Sequence, residues 1–354
     1  MRAVLLGIAV GDYRRAFLER VKSVISGFEV ISGDVHFEPS FRSGRELGIT
    51  FQQNKNSFFI KRRLVWQRKV FLQCLTADAC IIEHNPRSLT AWAVGLGRRA
   101  LGKQTVSWGH VESRAGYKPL IGLIRHFQRR LCGVALFYTN KELMVATDRY
   151  GKKPMAFVAP NALYSCSEWK PPPDCSPRDF IFIGRLSEDK KPNIALQAFI
   201  LAKLPPVCAM HFVGEGPMRP ALEKMAQNSD RKVSFHGHVS DRSVLAGLFY
   251  NSIAAISPGY VGLSIVQSTY FGCPIIYSER EPHAPEIILA KEGFNSLSVE
   301  HCKPDCFAKK MECARLLFED FHRRVEIAKH SVSMFNVEKM ADGFIAAVNY
   351  SLGK

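Results

Sequence analysis

A chain of 354 residues is long for one core and comfortable for two domains of about 150–180 residues each. Its apolar fraction of 47% is that of an ordinary soluble globular protein, and no run approaches the ~20 apolar residues that crossing a bilayer requires. The net charge of +16 is unevenly placed: residues 1–162 hold 26 Lys and Arg against 11 Asp and Glu, whereas residues 163–354 hold 22 against 21. One basic half implies a polyanionic partner, whether nucleic acid, anionic lipid or substrate.

The opening "MRAVLLGIAVGDYRR" imitates a signal peptide, then breaks into Gly11-Asp12 and two arginines with no small-x-small cleavage site. It reads as a buried first strand over 3–10. "YRRAFLERVKSVI" spaces Phe17, Val21 and Ile25 as a helix does, "FEVISG" is a second strand and "ADACIIEHN" (77–85) a third. A helix through Trp92 and Leu96 follows, then the strands "QTVSWGH" (104–110), "GVALFYTN" (133–140) and "PMAFVAPNA" (154–162). Unbroken apolar strands alternating with helices predict a parallel sheet covered on both faces.

"LYSCSEWKPPPDCSPRD" (163–179) is polar and proline-rich, which makes it the natural linker. The alternation then restarts: strand "FIFIGRL", helix "NIALQAFILAKL", strand "CAMHFVGEG", a helix through Leu222 and Met225, strand "KVSFHGHV", helix "SVLAGLFYNS" and strand "IAAISPG". "CPIIYSE" reads as the last clear strand, with helices at "APEIILAKEG", 304–332 and 336–350. The expected architecture is therefore α/β, with two Rossmann-like domains facing across a cleft. Domain one is 1–162, the linker 163–179 and domain two 180–335. In such open sheets ligands bind outside the carboxyl ends of the strands.

The ten cysteines form no CxxC pair. "HCKPDCFAKKMEC" (301–313) invites a zinc reading, but helix and loop thiols in a reducing cytosol fit the spacing better.

Arg185 closes a strand and Lys190 precedes a helix. Two cations beside helix N-terminal amides suit a diphosphate, while the plainer reading makes them solvated loop charges. The surrounding series decides more: "FIGRLSEDKKPNIALQAF", "HFVGEGP", "VSFHGHVSDRSVLAGLFYNSIAAISPG", "GLSIVQSTYFGCPIIY" and "APEIILAKEGFN". In this order and spacing, 178–350 resembles the C-terminal domain of the family 4 glycosyltransferases, which have the GT-B fold. The resemblance implies a nucleotide-diphosphate sugar held by Arg185 and Lys190. It also implies main-chain contacts to the base at Gly237, His238 and Val239, and phosphate-facing amides at Gly262 and Leu263. The last helix, 336–354, would cross back onto the first domain.

One departure stands out. That family usually carries E-G-F-G-L-x-x-x-E, and alignment on Gly262-Leu263 puts Gly259 at the first glutamate and Gln267 at the second. A glutamine carbonyl still accepts ribose hydroxyls, without charge assistance. Gly259 has no side chain to contact the transferred sugar. Glu286, in "APEIIL", is the nearest carboxylate by motif; it either contributes to the donor site or favours a helix N-terminus.

The first half resembles a narrower group, the bacterial family 4 enzymes of surface and extracellular polysaccharide assembly, through "YRRAF", "WQRKVF", "EHNPRSLTAW" and "GKQTVSWGHVESR". Members tend to carry "PGxVGLxxxxSxxYGxP", so the missing glutamates belong to the group. The resemblance puts His110 against the donor sugar, the alternative being a structural histidine. Arg14, Glu83, Asn85 and Arg87 are expected to bind acceptor hydroxyls, unless Asn85 or Ser88 merely caps the next helix. Trp108 reads as core rather than a sugar platform. In "YKPLIGLIRHFQRRL" (117–131), Leu120, Ile121, Ile124, Phe127 and Leu131 make a helical apolar face with Arg125, Arg129 and Arg130 around it. Such a helix either lies on an anionic membrane or packs on the sheet with its polar face in water.

The function expected from the resemblance is retaining transfer of a sugar from a nucleotide-diphosphate sugar to a glycan, lipid-linked, acceptor. It would need no cofactor or metal, since no DxD-like pair ends a strand. Nucleic acid is not an expected partner, and the location would be cytoplasmic, peripheral at the inner face of the membrane. The rivals are a non-catalytic subunit of a glycan-assembly complex, an epimerase of the same fold, and nucleic-acid binding suggested by charge alone.

Overall fold

Apolar strands joined by amphipathic helices bury both faces when a parallel sheet is sandwiched between helix layers, and this chain does so twice. The computed structural model describes residues 1–38, 41–44, 47–112, 116, 118–318 and 320–353. By its internal contacts it divides into Met1–Ser167 with Phe335–Lys354, and Glu168–Met334. Ser113 and Arg114, which end one of the quoted stretches, and Tyr117, which opens another, lie outside the described residues.

The first unit has strands β1 (Arg2–Gly7), β2 (Gly27–Gly33) and β3 (Phe51–Asn54), a hairpin of β4 (Asn56–Phe59) and β5 (Leu64–Gln67), then β6 (Ala79–Glu83), β7 (Thr105–Trp108), β8 (Gly133–Phe137) and β9 (Met155–Val158). Its sheet runs β3-β2-β1-β6-β7-β8-β9, every pair parallel, while β4 and β5 pair antiparallel with each other. Helices α1 (Arg15–Val24), α2 (Phe71–Thr76), α3 (Leu89–Ala100), α4 (Pro119–Cys132) and α5 (Asn140–Tyr150) connect them. The opening segment is the central strand β1, buried on both sides. Ser88 and Thr139 cap α3 and α5, accepting from the amides of Ala91 and Glu142.

The second unit carries β10 (Asp179–Ile183), α6 (Pro192–Leu201), β11 (Ala209–Val213), α7 (Arg219–Gln227), β12 (Lys232–Gly237), α8 (Arg242–Tyr250), β13 (Ser252–Ser257), α9 (Leu263–Tyr270), β14 (Ile275–Ser278), β15 (Ser296–Val299), α10 (Pro304–Leu317) and α11 (Phe321–Met334). The sheet order is β12-β11-β10-β13-β14-β15, all parallel. Both units thus share the doubly wound order of a Rossmann sheet, reversing beside their first strand. Helix α12 (Val337–Ser351), capped by Asn336, returns to the first unit. There Phe344 packs edge-on to Phe17, Phe28 and Trp108, with ring centroids 5.3–5.8 Å away.

Four readings need correction. "CPIIYSE" is followed by one more strand, β15. The stretch 284–293 is only a 3-10 turn over Pro285–Leu289, because buried Asn295 takes the Leu289 carbonyl and the Lys291 amide at 2.8 and 2.7 Å. The 304–332 helix is two helices, α10 and α11. Helix α4 does pack on the sheet, but inverted: Arg125, Gln128 and Arg129 are buried, and Leu120, Leu123 and Phe127 are more than half exposed.

Candidate functional site

At the carboxyl ends of the second sheet the loops continue the hydrogen bonding of the strands. The Gly184 amide donates to Val213 at 2.9 Å, Leu186 to Glu215 at 2.9 Å, and Gly214 to Gly237 at 2.7 Å. Such close approach demands glycine: a Cβ on Gly214, whose φ is +135°, would fall 1.9 Å from the Gly184 oxygen. Across the point where strand order reverses, between β10 and β13, the Tyr260 amide donates to Asp189 at 3.0 Å. Lys190 Nζ donates to the Tyr260 carbonyl at 2.6 Å and lies 4.8 Å from the centre of its ring. Arg185 stands 3.6 Å from Asp189, with 29% of its side chain exposed. Both cations are half-buried and have protein partners.

This arrangement explains Gly259 physically. A Cβ there would meet the Asp189 oxygen at 2.2 Å and the Lys190 backbone at 2.8 Å. No glutamate fits unless the 189–190 loop moves. Gly262 is different, because a Cβ would find its first neighbour at 3.6 Å. It sits at the capping position of α9 and offers no side chain to the first-turn amides, starting with that of Leu263. Gln267 follows half-buried on the same helix, and Glu286, 1% exposed, lies in the 3-10 turn that packs against α9. Gly237 joins the set through its bond from Gly214; His238 is exposed and Val239 half-buried beyond it.

Sequence reasoning missed His283. Its Nδ1 accepts from the Val261 amide at 3.1 Å and its Nε2 donates to the Ser278 carbonyl at 2.7 Å, so one neutral tautomer pins the glycine loop. Burial holds this imidazole below its ordinary value of 6.5, outweighing the Ser278 carbonyl and Glu281, which favour the charged form.

In the first unit His110 follows β7. Its Nδ1 stands 3.3 Å from Glu142 Oε1, and its ring 4.6 Å from that of Tyr138. Glu142 also accepts from the amides of Val111 at 3.0 Å and Tyr138 at 3.1 Å, so the carboxylate orients the imidazole and ties two loops. The signal for it was present: Thr139-x-x-Glu142 has capping-box spacing. Arg14 lies 4.4 Å from the Trp108 ring centre and 3.5 Å from the Tyr138 hydroxyl. Trp108, 4% exposed, is core. Glu83 accepts from the Ile8 amide at 2.9 Å and stands 3.7 Å from His36. Burial works against its charged form, but His36, the Ile8 amide and Arg14 together hold its carboxyl below the usual value.

The structure thus gathers Arg14, Tyr138 and His110, with Glu83 within electrostatic reach of Arg14 and Tyr138. Asn85 and Arg87 make local contacts of their own. Asn85 accepts from the Arg87 amide at 3.1 Å, and Ser88 is the cap. Arg87 donates to the carbonyls of Arg63 and Arg62 at 2.9 and 2.7 Å, clamping the β4–β5 turn against itself. Behind His110, buried His84 and Arg125 bond to each other at 3.2 Å, and Arg125 donates to the carbonyls of His110 and Val111. Among the described residues no cluster of three His, Cys, Asp or Glu gathers to hold a metal ion. All ten cysteines are free thiols.

Residues 177–315 match the family described as glycosyl transferases group 1. Over 117 residues the chain is 32% identical to the GDP-mannose-dependent alpha-(1-6)-phosphatidylinositol dimannoside mannosyltransferase of Mycobacterium tuberculosis, a match covering 32% of this chain. It spans 30% of the length of that curated relative. Among solved structures, HepE of Anabaena in complex with UDP superposes with a TM-score of 0.71 at 14% identity, over 99% of this chain and 100% of that one. The lipopolysaccharide outer core galactosyltransferase WaaB superposes with a TM-score of 0.66 at 15% identity, over 99% of each. The fold is GT-B, as in these structures.

Proposed function

We propose that this chain is a retaining glycosyltransferase that moves a sugar from a nucleoside diphosphate to a hydroxyl of a glycan acceptor. The observation that carries the reading is the pair of cations where the order of the second sheet reverses, Arg185 near Asp189 and Lys190 on the Tyr260 carbonyl, in the same loops that lead into the side-chain-uncapped start of α9. The family match over the same residues supports it, as do relatives named for GDP-mannose and solved with UDP. In the step itself the bond from the sugar's anomeric carbon to the diphosphate breaks and a bond to the acceptor oxygen forms on the same face. The acceptor proton passes to the departing phosphate oxygen. Arg185, Lys190 and the α9 amides stabilise the negative charge growing on that diphosphate, so the work is positioning and electrostatics. Gln267 would accept from the ribose, and His110, oriented by Glu142, would bond a sugar hydroxyl. No resident metal or cofactor is invoked.

The test is turnover of UDP-, GDP-, ADP- and TDP-sugars by the purified chain, with thermal shift as the binding readout. One of them should stabilise the fold by mass action, and Arg185→Ala should lower turnover about 10²–10³-fold. Binding of a nucleotide sugar that is never cleaved with any acceptor would support the non-catalytic reading that Gly259 invites.

The acceptor side of the proposal is a lipid-linked glycan in polysaccharide assembly, met at the inner face of the cytoplasmic membrane. Its support is α4, whose Leu120, Leu123 and Phe127 face outward on the basic unit. No helix among the described residues is long and apolar enough to span a membrane. An in-plane helix of this kind binds through apolar area plus anionic lipid. Changing the three residues to Ser should weaken flotation with phosphatidylglycerol vesicles about tenfold or more; unchanged flotation would remove the membrane from the proposal.

A further inference from the structure

The inversion of α4 leaves something that the transfer reading does not use. Arg129 is 1% exposed, and its two terminal nitrogens have no hydrogen-bond partner among the described residues. A buried guanidinium without acceptors is costly, and a charged group so placed normally has a counter-charge. Here the nearest charges do not balance: Arg125, one turn away, is a second buried cation, and Glu142 is the carboxylate within electrostatic reach of both. Burial, with Arg125 beside it, lowers the Arg129 pKa to about 10, which still leaves it cationic at neutral pH.

Arg129 lines a cavity of about 290 Å³ between α4 and α5 over the β8–β9 edge of the first sheet. His126, Thr147, Lys152 and Lys153 complete its polar wall. Phe137, whose ring centre lies 5.6 Å from the Arg129 guanidinium carbon, and residues such as Ala146 and Met155 give it an apolar wall. Arg129, Lys152 and Lys153 together exceed what a single carboxylate neutralises, and they match the ≈ −1.5 to −2 charge of a phosphate monoester at neutral pH. The volume exceeds a bare phosphate and has an apolar side for an organic body.

We propose that this pocket of the first unit binds a phosphate monoester, its phosphoryl group met by the exposed Lys152 and Lys153 with the uncompensated charge of buried Arg129 behind them, and its organic part on the apolar wall. The site is separate from the residues assigned to sugar transfer. Its test reads binding rather than turnover, so it can fail while the transferase reading stands.

The probes are inorganic phosphate, hexyl phosphate and vesicles of phosphatidylcholine containing either phosphatidic acid or phosphatidylglycerol. Saturating hexyl phosphate should raise the melting temperature by about 5–10 °C, with inorganic phosphate weaker. Arg129→Met should weaken binding about tenfold or more. Should that variant not fold, Ala146→Phe, which fills the apolar wall and leaves every cation in place, must abolish the hexyl phosphate shift. A preference for phosphatidic acid over phosphatidylglycerol vesicles that is lost in these variants identifies a lipid headgroup as the source. The soluble shift without that preference identifies a small free ester. Absence of any shift, or a shift unchanged in Ala146→Phe, overturns the proposal.

Discussion

The two units share one strand order but fasten the loops at their carboxyl ends in different ways. In the first, side chains reach across: Asn56 and Gln67 donate to the carbonyls of Ile8 and Gly7, Glu83 takes the Ile8 amide, and Ser32 and Ser43 bond the Val10 amide. In the second, backbone mostly meets backbone, through Gly184, Gly214 and the close approach of Gly259, with His283 and Lys190 adding side-chain ties. Side-chain clamps leave room between loops and put titratable groups at the site. Backbone zippers leave none, and offer amides and fixed cations instead. Under the proposed function, the first design would suit a binder of hydroxyl-bearing acceptors and the second a holder of a diphosphate.

The contrast can be broken most forcefully at Gly259. Replacing it with Glu, the usual residue of the resembling family, should cost about 3 kcal/mol by chemical denaturation and weaken nucleotide binding, because the backbone of 189–190 blocks its Cβ. A variant of unchanged stability and higher turnover would show the zipper to be plastic. In the first unit Glu142→Gln should cost about 2 kcal/mol, since an amide keeps one acceptor and turns its N–H₂ toward an N–H that the carboxylate now receives. Turnover should fall with it, as His110 loses its orienting partner.

A smaller effect sharpens the comparison through pH. Burial, followed by the charges of Arg125 and Arg129, holds His84 well below 6.5. The unfolded imidazole takes up a proton as pH falls through 6.5 and the folded one does not. The stability it contributes is therefore full above 6.5 and lost toward the depressed value, at up to about 1.4 kcal/mol per pH unit. His84→Gln should flatten that part of the denaturation profile between pH 7 and 5; an equal slope in both proteins would contradict the assignment.

Much of this was legible in the sequence, for reasons that differ by element. Strands such as "AVLLGIAV" and "IAAISPG" announce themselves because a strand buried on both faces must be apolar throughout. The strands β3, β4 and β5 did not, being four residues each and mostly polar or half-exposed. Arg185 and Lys190 were visible from spacing. His283 and Arg125 were not, since each acts on carbonyls or amides brought near by the fold. Periodicity showed the two faces of α4 but not which one turns inward. The sheet's demand for a clamp on His110 and Val111 settled that in favour of arginine.

Helix α12 has a consequence for how the protein is made. Phe344 completes the aromatic core around Phe17, Phe28 and Trp108, and Gly343 lies so close to β9 that a Cβ would stand 1.9 Å from the Val158 oxygen. On the ribosome, that last piece emerges only after all of Glu168–Met334, which at ordinary translation speeds takes roughly ten to thirty seconds. For that interval the nascent first unit carries an unroofed apolar groove, whereas the second holds everything it needs to close as soon as Met334 is made. The polypeptide made first is finished last.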